Sequence, residues 1–141
     1  MSEEHVYIIA EAGVNHNGSR EMALELIDAA AQSGADAVKF QTFEADKLTL
    51  KNAPKAEYQK VTTDAMESQL NMLRKLELPK EWHFDLQHYA DAQGLQFLST
   101  AFDLESLDFL NRMNMPRFKI PSGEISNGPL LWQFARTRRP L

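Results

Sequence analysis

Cysteine is absent from the 141 residues, so no disulfide framework, zinc knuckle or thiol nucleophile can be built. No apolar run approaches the ~20 residues needed to cross a bilayer, and Met1–His5 is acidic, unlike a signal peptide. Basic residues are outnumbered: 15 Lys+Arg stand against 20 Asp+Glu, giving a net charge of −5. That balance argues against a nucleic-acid partner, which needs a basic footprint. Neither GxGxxG nor GxxxxGK[ST] occurs, so a nucleotide-binding loop has no support. What remains is ordinary globular composition, with 43% hydrophobic and 25% charged residues and a length suited to one domain. The expectation is a soluble, cytoplasmic protein without a membrane partner.

Short apolar runs alternate with amphipathic stretches. Val6-Tyr7-Ile8-Ile9-Ala10 reads as a strand buried on both faces. Asn15-His16-Asn17-Gly18 breaks it, and Ser19 can cap a helix with Ala23, Leu26, Ile27, Ala30 and Ala31 on one face, closed by Gly34. Ala37–Phe40 is the second strand. A polar, Lys-rich connection from about Glu44 to Thr63 exceeds the usual βα loop, and loops of that length are often functional lids. Asp64 with Glu67 resembles a capping box before Met66, Leu70 and Leu73. Pro79 sits at the first turn of a helix through Trp82, Leu86 and Tyr89 to Gly94. Gln96–Ser99 is the third strand, Asp103 caps a helix bearing Leu104, Leu107 and Leu110, and Arg117–Ile120 is the fourth strand. Pro129 opens the last helix, with Leu130, Leu131, Phe134 and Ala135. The order predicts a parallel α/β sheet with right-handed crossovers. Four such strands suit either a small doubly wound domain or half of a TIM-type (β/α)₈ barrel, whose full form takes ~250 residues.

In parallel α/β folds chemistry gathers at the carboxyl ends of the strands. Here those ends are polar: Glu11 and Gly13 on the first; Lys39, Gln41 and Thr42 on the second; Ser99 and Thr100 on the third; Lys119, Ser122 and Glu124 on the fourth. A lysine inside an apolar strand is costly to bury unpaired. Lys39 and Lys119, with the nearby hydroxyls, can hold an anion bearing phosphate or carboxylate, while Glu11 and Glu124 can move protons or hold a sugar hydroxyl. Each residue also has a plainer role: Lys39 can simply pair with Glu11, and strand-end Ser or Thr can cap a helix. The coincidence on all four strands favours a site. His83 and His88, five apart, do not share a helical face and do not suggest a metal pair. His16 is a turn residue or a ligand, and the methionines read as packing material.

Four stretches, Ile8-Ile9-Ala10-Glu11-Ala12-Gly13-Val14-Asn15-His16-Asn17-Gly18, Val38-Lys39-Phe40-Gln41-Thr42, Phe97-Leu98-Ser99-Thr100-Ala101-Phe102 and Phe118-Lys119-Ile120-Pro121-Ser122-Gly123-Glu124-Ile125, resemble in order and spacing the N-terminal half of the sialic acid (N-acetylneuraminate) synthase family. The resemblance implies a transferase of carbohydrate and sialic acid biosynthesis. It condenses phosphoenolpyruvate with an N-acylated amino sugar such as N-acetylmannosamine, giving a nine-carbon 2-keto sugar acid and phosphate. It implies a homodimeric (β/α)₈ barrel with an antifreeze-like domain and a divalent metal, Mn²⁺ or Mg²⁺. By motif, Lys39, Gln41, Thr100, Lys119 and Ser122 bind phosphoenolpyruvate, and Glu11 and Glu124 are the catalytic carboxylates. Asn15 and His16 receive no direct contact. The family's metal-binding histidines lie in later strands, so no metal ligand is expected here. Residues 1–141 would then be the first four βα units, a half barrel lacking the remaining strands and the antifreeze-like domain, and inactive alone. The alternatives are a non-catalytic, self-associating half barrel, or another phosphate-binding α/β enzyme that uses a lysine in Schiff-base chemistry.

Overall fold

The computed structural model describes residues 5–48 and 69–141. Most of the expected lid-like connection, and the Asp64/Glu67 capping box after it, lie outside those residues. Among the described residues the order is β1 (Ile9–Gly13), α1 (Arg20–Gln32), β2 (Ala37–Thr42), α2 (Ala45–Leu48), α3 (Gln69–Lys75), α4 (Lys80–Ala92), β3 (Gln96–Ala101), α5 (Leu104–Arg112), a 3₁₀ turn (Ser122–Glu124) and α6 (Gly128–Arg136). The three strands form one parallel sheet in the order β1-β2-β3, with Ala10 beside Val38 and Val38 beside Phe97. None of the described helices is long and apolar enough to cross a membrane.

The caps follow from local chemistry. The Ser19 hydroxyl accepts from the Met22 N–H and opens α1, and Asp103 accepts from the Ser106 N–H and opens α5. Pro79 stands one residue ahead of α4 as its N-cap. The last helix is capped by Asn127, whose side chain accepts from the Leu130 N–H, with Pro129 inside the first turn.

Alternation along the strands divides the sheet. Val38, Phe40, Phe97 and Ala101 face the helices, where Phe40 and Phe97 stack at 5.7 Å and pack with Ile27, Leu86 and Ala90. Each large side chain removed from water there contributes about 1.5–3 kcal/mol. Ala23 and Ala30, both buried, let α1 lie close on the sheet. Met72, Met113 and Met115 are buried packing residues, as are Leu107 and Leu110 of α5, whereas Leu104 is exposed.

Two strand expectations are corrected. The first strand begins three residues later than its apolar run, and Val6 and Ile8 are 75% and 53% exposed. Among the described residues β1 pairs with β2 alone, so no second strand there covers this run. Arg117–Ile120, expected as the fourth strand, has no ladder to β3. It lies between Pro116 and Pro121, which have no N–H to give, and the Phe118 N–H bonds to the Pro140 carbonyl instead. The described sheet is therefore three-stranded, and a half barrel is an expectation that this sheet leaves open.

A buried polar chain crosses the helix-facing side. The Pro79 carbonyl, 3.0 Å from His83 Nδ1, can only accept, so Nδ1 carries the proton and Nε2 is the acceptor. The Thr42 hydroxyl therefore donates to His83 Nε2 at 2.7 Å, and the Ser99 hydroxyl donates to Thr42 at 2.7 Å. β2, β3 and α4 are bound together by these groups. Burial pushes the His83 imidazole down to about 4. His88 is exposed on the same helix, so the two histidines form no pair.

Two outcomes are expected. A native imidazole that resists protonation makes the unfolded chain bind more protons between about pH 6.5 and pH 4, so stability is full above that window and falls within it. The loss approaches roughly 3 kcal/mol; denaturant unfolding at pH 7, 5 and 4 measures it, and His83→Gln lacks this component. Separately, a Cβ on Gly18 (φ +76°) would stand 2.7 Å from the Lys75 carbonyl oxygen, whereas one on Gly34 (φ +73°) meets nothing within 4 Å. Gly34→Ala should cost about 1–2 kcal/mol of left-handed strain. Gly18→Ala adds a backbone clash and should cost roughly 3 kcal/mol or more, read from the same unfolding curves.

Candidate functional site

The face of the sheet turned away from the helices carries Glu11 from β1, Lys39 and Gln41 from β2, and Leu98 and Thr100 from β3. Register places Glu11 beside Lys39 and Lys39 beside Leu98, with Gln41 beside Thr100 one step nearer the carboxyl end. Lys39 is 5% exposed, and its ammonium lies 2.5 Å from Glu11 Oε2. The Glu11 side chain is half exposed, so the pair joins a buried cation to a carboxylate that water still reaches. Removing the carboxylate would leave the ammonium buried without its counter-charge.

A bulge between Glu11 and Gly13 ends β1 here. Gly13 has φ +57°, and a Cβ built on it would come within 3.3 Å of Glu11 Oε1 and 3.7 Å of Gln41 Nε2. Glycine thus leaves room for a carboxylate and an amide at the strand end. Thr100 is buried, and its hydroxyl has no hydrogen-bond partner among the described residues. On the opposite face of the same strand ends, Thr42, Ser99 and His83 hold β2 against β3.

Lys119 is exposed. With Ile9, Leu98, Arg117, Phe118, Ile120 and Leu141 it lines a cavity of about 300 Å³ on the site face. Phe118 turns the other way into the core, against Phe134. Phe118 is thus buried and Lys119 beside it exposed on a segment without a ladder. Ser122 and Glu124 stand in the 3₁₀ turn, where Asn127 Nδ2 donates to Glu124 Oε2 at 2.7 Å. The structure brings Glu11, Lys39, Gln41 and Thr100 together on adjacent strands, while Lys119, Ser122 and Glu124 arrive on the following segment. Among the described residues no ion pair or hydrogen bond joins the two groups.

His16 is fully buried in the turn after β1. Its Nδ1 accepts from the Gly18 N–H at 3.1 Å, and its ring lies 6.3 Å from that of Phe40, on the helix-facing side. Burial lowers its pKa and favours the neutral ring. It organises the turn. His83 is likewise engaged, and the described residues contain no group of three His, Asp or Glu able to hold a metal ion. The divalent cation implied by the resemblance does not fit a site built from these residues alone.

Arg117 and Asn127 did not stand out in the sequence. The Arg117 guanidinium lies 4.2 Å from the centre of the Tyr7 ring, and the Tyr7 hydroxyl donates to Gln96 Oε1 at 2.7 Å, so the three close the amino-terminal end of the site face. The Arg-x-Lys spacing, with Phe118 between, was the available signal for Arg117. For Asn127 it was the Glu-x-x-Asn-x-Pro pattern of an asparagine cap.

Residues 26–141 match the NeuB family. The chain is 53% identical over 135 residues to the N,N'-diacetyllegionaminic acid synthase of Legionella pneumophila, covering 96% of this chain and 38% of that protein. To the human N-acetylneuraminate-9-phosphate synthase it is 34% identical, covering 96% of this chain and 37% of that one. Among solved structures, the N-acetylneuraminic acid synthetase of Leptospira borgpetersenii, crystallised with citrate, superposes with a TM-score of 0.77 at 30% identity, over 94% of this chain and 41% of that one. The chain thus spans about two-fifths of the length of these relatives. The chain therefore belongs to the NeuB family, whose relatives include sialic, legionaminic and pseudaminic acid synthases.

Proposed function

We propose that the chain supplies the phosphoenolpyruvate-binding part of a synthase that joins this three-carbon anion to an N-acylated amino sugar, giving a nine-carbon 2-keto sugar acid and phosphate. The observation that carries the reading is Lys39, buried on the site face and paired with one half-exposed carboxylate, with Thr100 one register step away and its hydroxyl without a hydrogen-bond partner among the described residues. A small dianion entering there gains a desolvated cation and a free hydroxyl. Lys119 and Ser122 complete the set from the next segment, and Gln41 lines it.

In the reaction the C3 carbon of phosphoenolpyruvate forms a bond to the aldehyde carbon of the open-chain sugar as the C=O π bond opens and its oxygen takes up a proton to become a hydroxyl, and C2 becomes cationic. Water adds at C2, and the C2–O–phosphate bond then breaks to release phosphate and leave the ketone. Lys39 and Lys119 hold the phosphate and carboxylate. Glu11 and Glu124 face the developing positive charge and take the proton of the entering water. The higher identity to the diacetyllegionaminic acid synthase than to the human enzyme, 53% against 34%, favours a diacetylated acceptor over N-acetylmannosamine 6-phosphate. The divalent cation implied by the resemblance takes its ligands from other residues than these. The enzyme works in the cytoplasm as a homodimer, and the 141 residues alone turn over little or no substrate.

The test is binding. Titration of the 141-residue chain with phosphoenolpyruvate, followed by amide NMR, should perturb Lys39, Thr100 and Ser122, and Lys119→Ala should weaken binding about tenfold, roughly 1.4 kcal/mol. In the complete synthase the same substitution should raise the KM for phosphoenolpyruvate far more than that for the sugar. Perturbation confined to other residues, or equal effects on the two substrates, overturns the assignment.

A further inference from the structure

Glu124 is held by a residue that neither the motif nor the proposed chemistry includes. It follows Pro121 in a single 3₁₀ turn, a short element that leaves the glutamate side chain several rotamers. Asn127 removes that freedom from two sides. Its Nδ2 donates to Glu124 Oε2 at 2.7 Å, while its Oδ1 accepts from the Leu130 N–H at 3.3 Å as the N-cap of α6. The backbone completes the brace, since the Asn127 N–H donates to the Glu124 carbonyl at 2.9 Å. The helix so engaged is anchored by Leu130 and Phe134, both buried, with Phe134 against Phe118. A packed helix is thereby coupled through one amide to one carboxylate.

The residue type matters. Serine, threonine, aspartate and asparagine all cap helices well, but among them only asparagine offers an N–H to a carboxylate while its oxygen is occupied by the cap. Aspartate would set a second negative charge against Glu124, and serine or threonine is too short to serve both partners. We propose that Asn127 is the positioning residue of Glu124, fixing the carboxylate's direction relative to α6 where the reacting carbons would meet it. This rests on the reading of Glu124 as a catalytic carboxylate given above.

Cap and positioning separate experimentally. Asn127→Ser keeps an N-cap oxygen and loses the amide donor; Asn127→Asp keeps the cap and repels Glu124. In the 141-residue chain at constant neutral pH, both should hold the thermal midpoint and the Leu130 amide protection near wild type. Both should displace the Glu124 carboxyl ¹³C resonance. Phosphoenolpyruvate affinity should stay within about twofold, since the lysines hold the anion, but the Glu124 resonance should cease to respond to the ligand. In the complete synthase, kcat should fall about tenfold with the KM for phosphoenolpyruvate unchanged. A Glu124 resonance that keeps its position and its response in both variants reduces Asn127 to a cap and overturns the proposal. Should either variant lose α6, Glu124→Ala decides: the Asn127 side-chain amide resonance must move if the bond exists, and its constancy overturns the proposal. Wild-type chain that binds no phosphoenolpyruvate overturns the functional reading instead, and the Asn127–Glu124 bond is still decided by the resonances in the free protein.

Discussion

A lysine ammonium buried on the open face of a parallel sheet is the constraint around which the site is arranged. Lys39 lies in the middle of β2, between two partner strands, and cannot swing out to water as a surface lysine does. Burial of a lone cation in such a place is costly, so a carboxylate must stand beside it. Glu11 does so at 2.5 Å, and its position in turn depends on the β1 register and on a bulge at Gly13 that leaves the strand end open. The pair is asymmetric: the cation is buried and the anion half exposed. An arriving anion can therefore compete for Lys39 while Glu11 regains water, a different balance from a fully buried ion pair.

The opposite face of the same strands explains why that arrangement stays put. Thr42 and Ser99 are one residue away in sequence from Gln41 and Thr100, yet their side chains point to the helices and close a hydrogen-bonded chain ending on His83 and the Pro79 carbonyl. Polar groups placed so deep are tolerable only when fully paired, and these are. They fix the carboxyl ends of β2 and β3 to one another and to α4 at the level where the site-face residues project. Apolar packing between Phe40 and Phe97 lies next to them on the same face. The helix-facing side thus combines adaptable packing with a directional lock, and the site face carries the groups left free to meet a ligand.

Much of this was legible in the sequence, for identifiable reasons. β2 and β3 are short apolar runs with two-residue alternation in their polar members, and the Ser19 and Asp103 caps follow from hydrogen-bonding chemistry that acts locally. Lys39 was visible because lysine inside an apolar run is expensive to bury unpaired, and it is buried beside Glu11; Lys119, read in the same way, is exposed on a segment outside the sheet. β1 was displaced because an apolar run does not report how many neighbours its strand will have, and Val6-Tyr7-Ile8 lies outside the ladder. The Arg117–Ile120 segment has strand composition, but the flanking prolines and the bond to Pro140 divert it, and that bond depends on residues more than twenty positions away. Asn127 was hidden because the neighbouring Pro129 offered a sufficient helix-start signal.

The site groups also differ in how firmly the fold holds them. Lys39, Gln41 and Thr100 belong to the strands, where ladder bonds on both sides of β2 determine their directions. Lys119, Ser122 and Glu124 sit on a segment without a ladder, so their directions depend on individual contacts: Phe118 in the core beneath Lys119, and Asn127 beside Glu124. At the far end, Tyr7, Gln96 and Arg117 tie the start of β1, the start of β3 and that same segment together. The segment is thus secured at its beginning by an aromatic–cation contact, in its middle by a buried phenylalanine and at its end by a helix cap. Charge balance makes this division useful. A strand-borne cation keeps its position while its counter-ion changes, whereas Glu124 depends on its bond to Asn127.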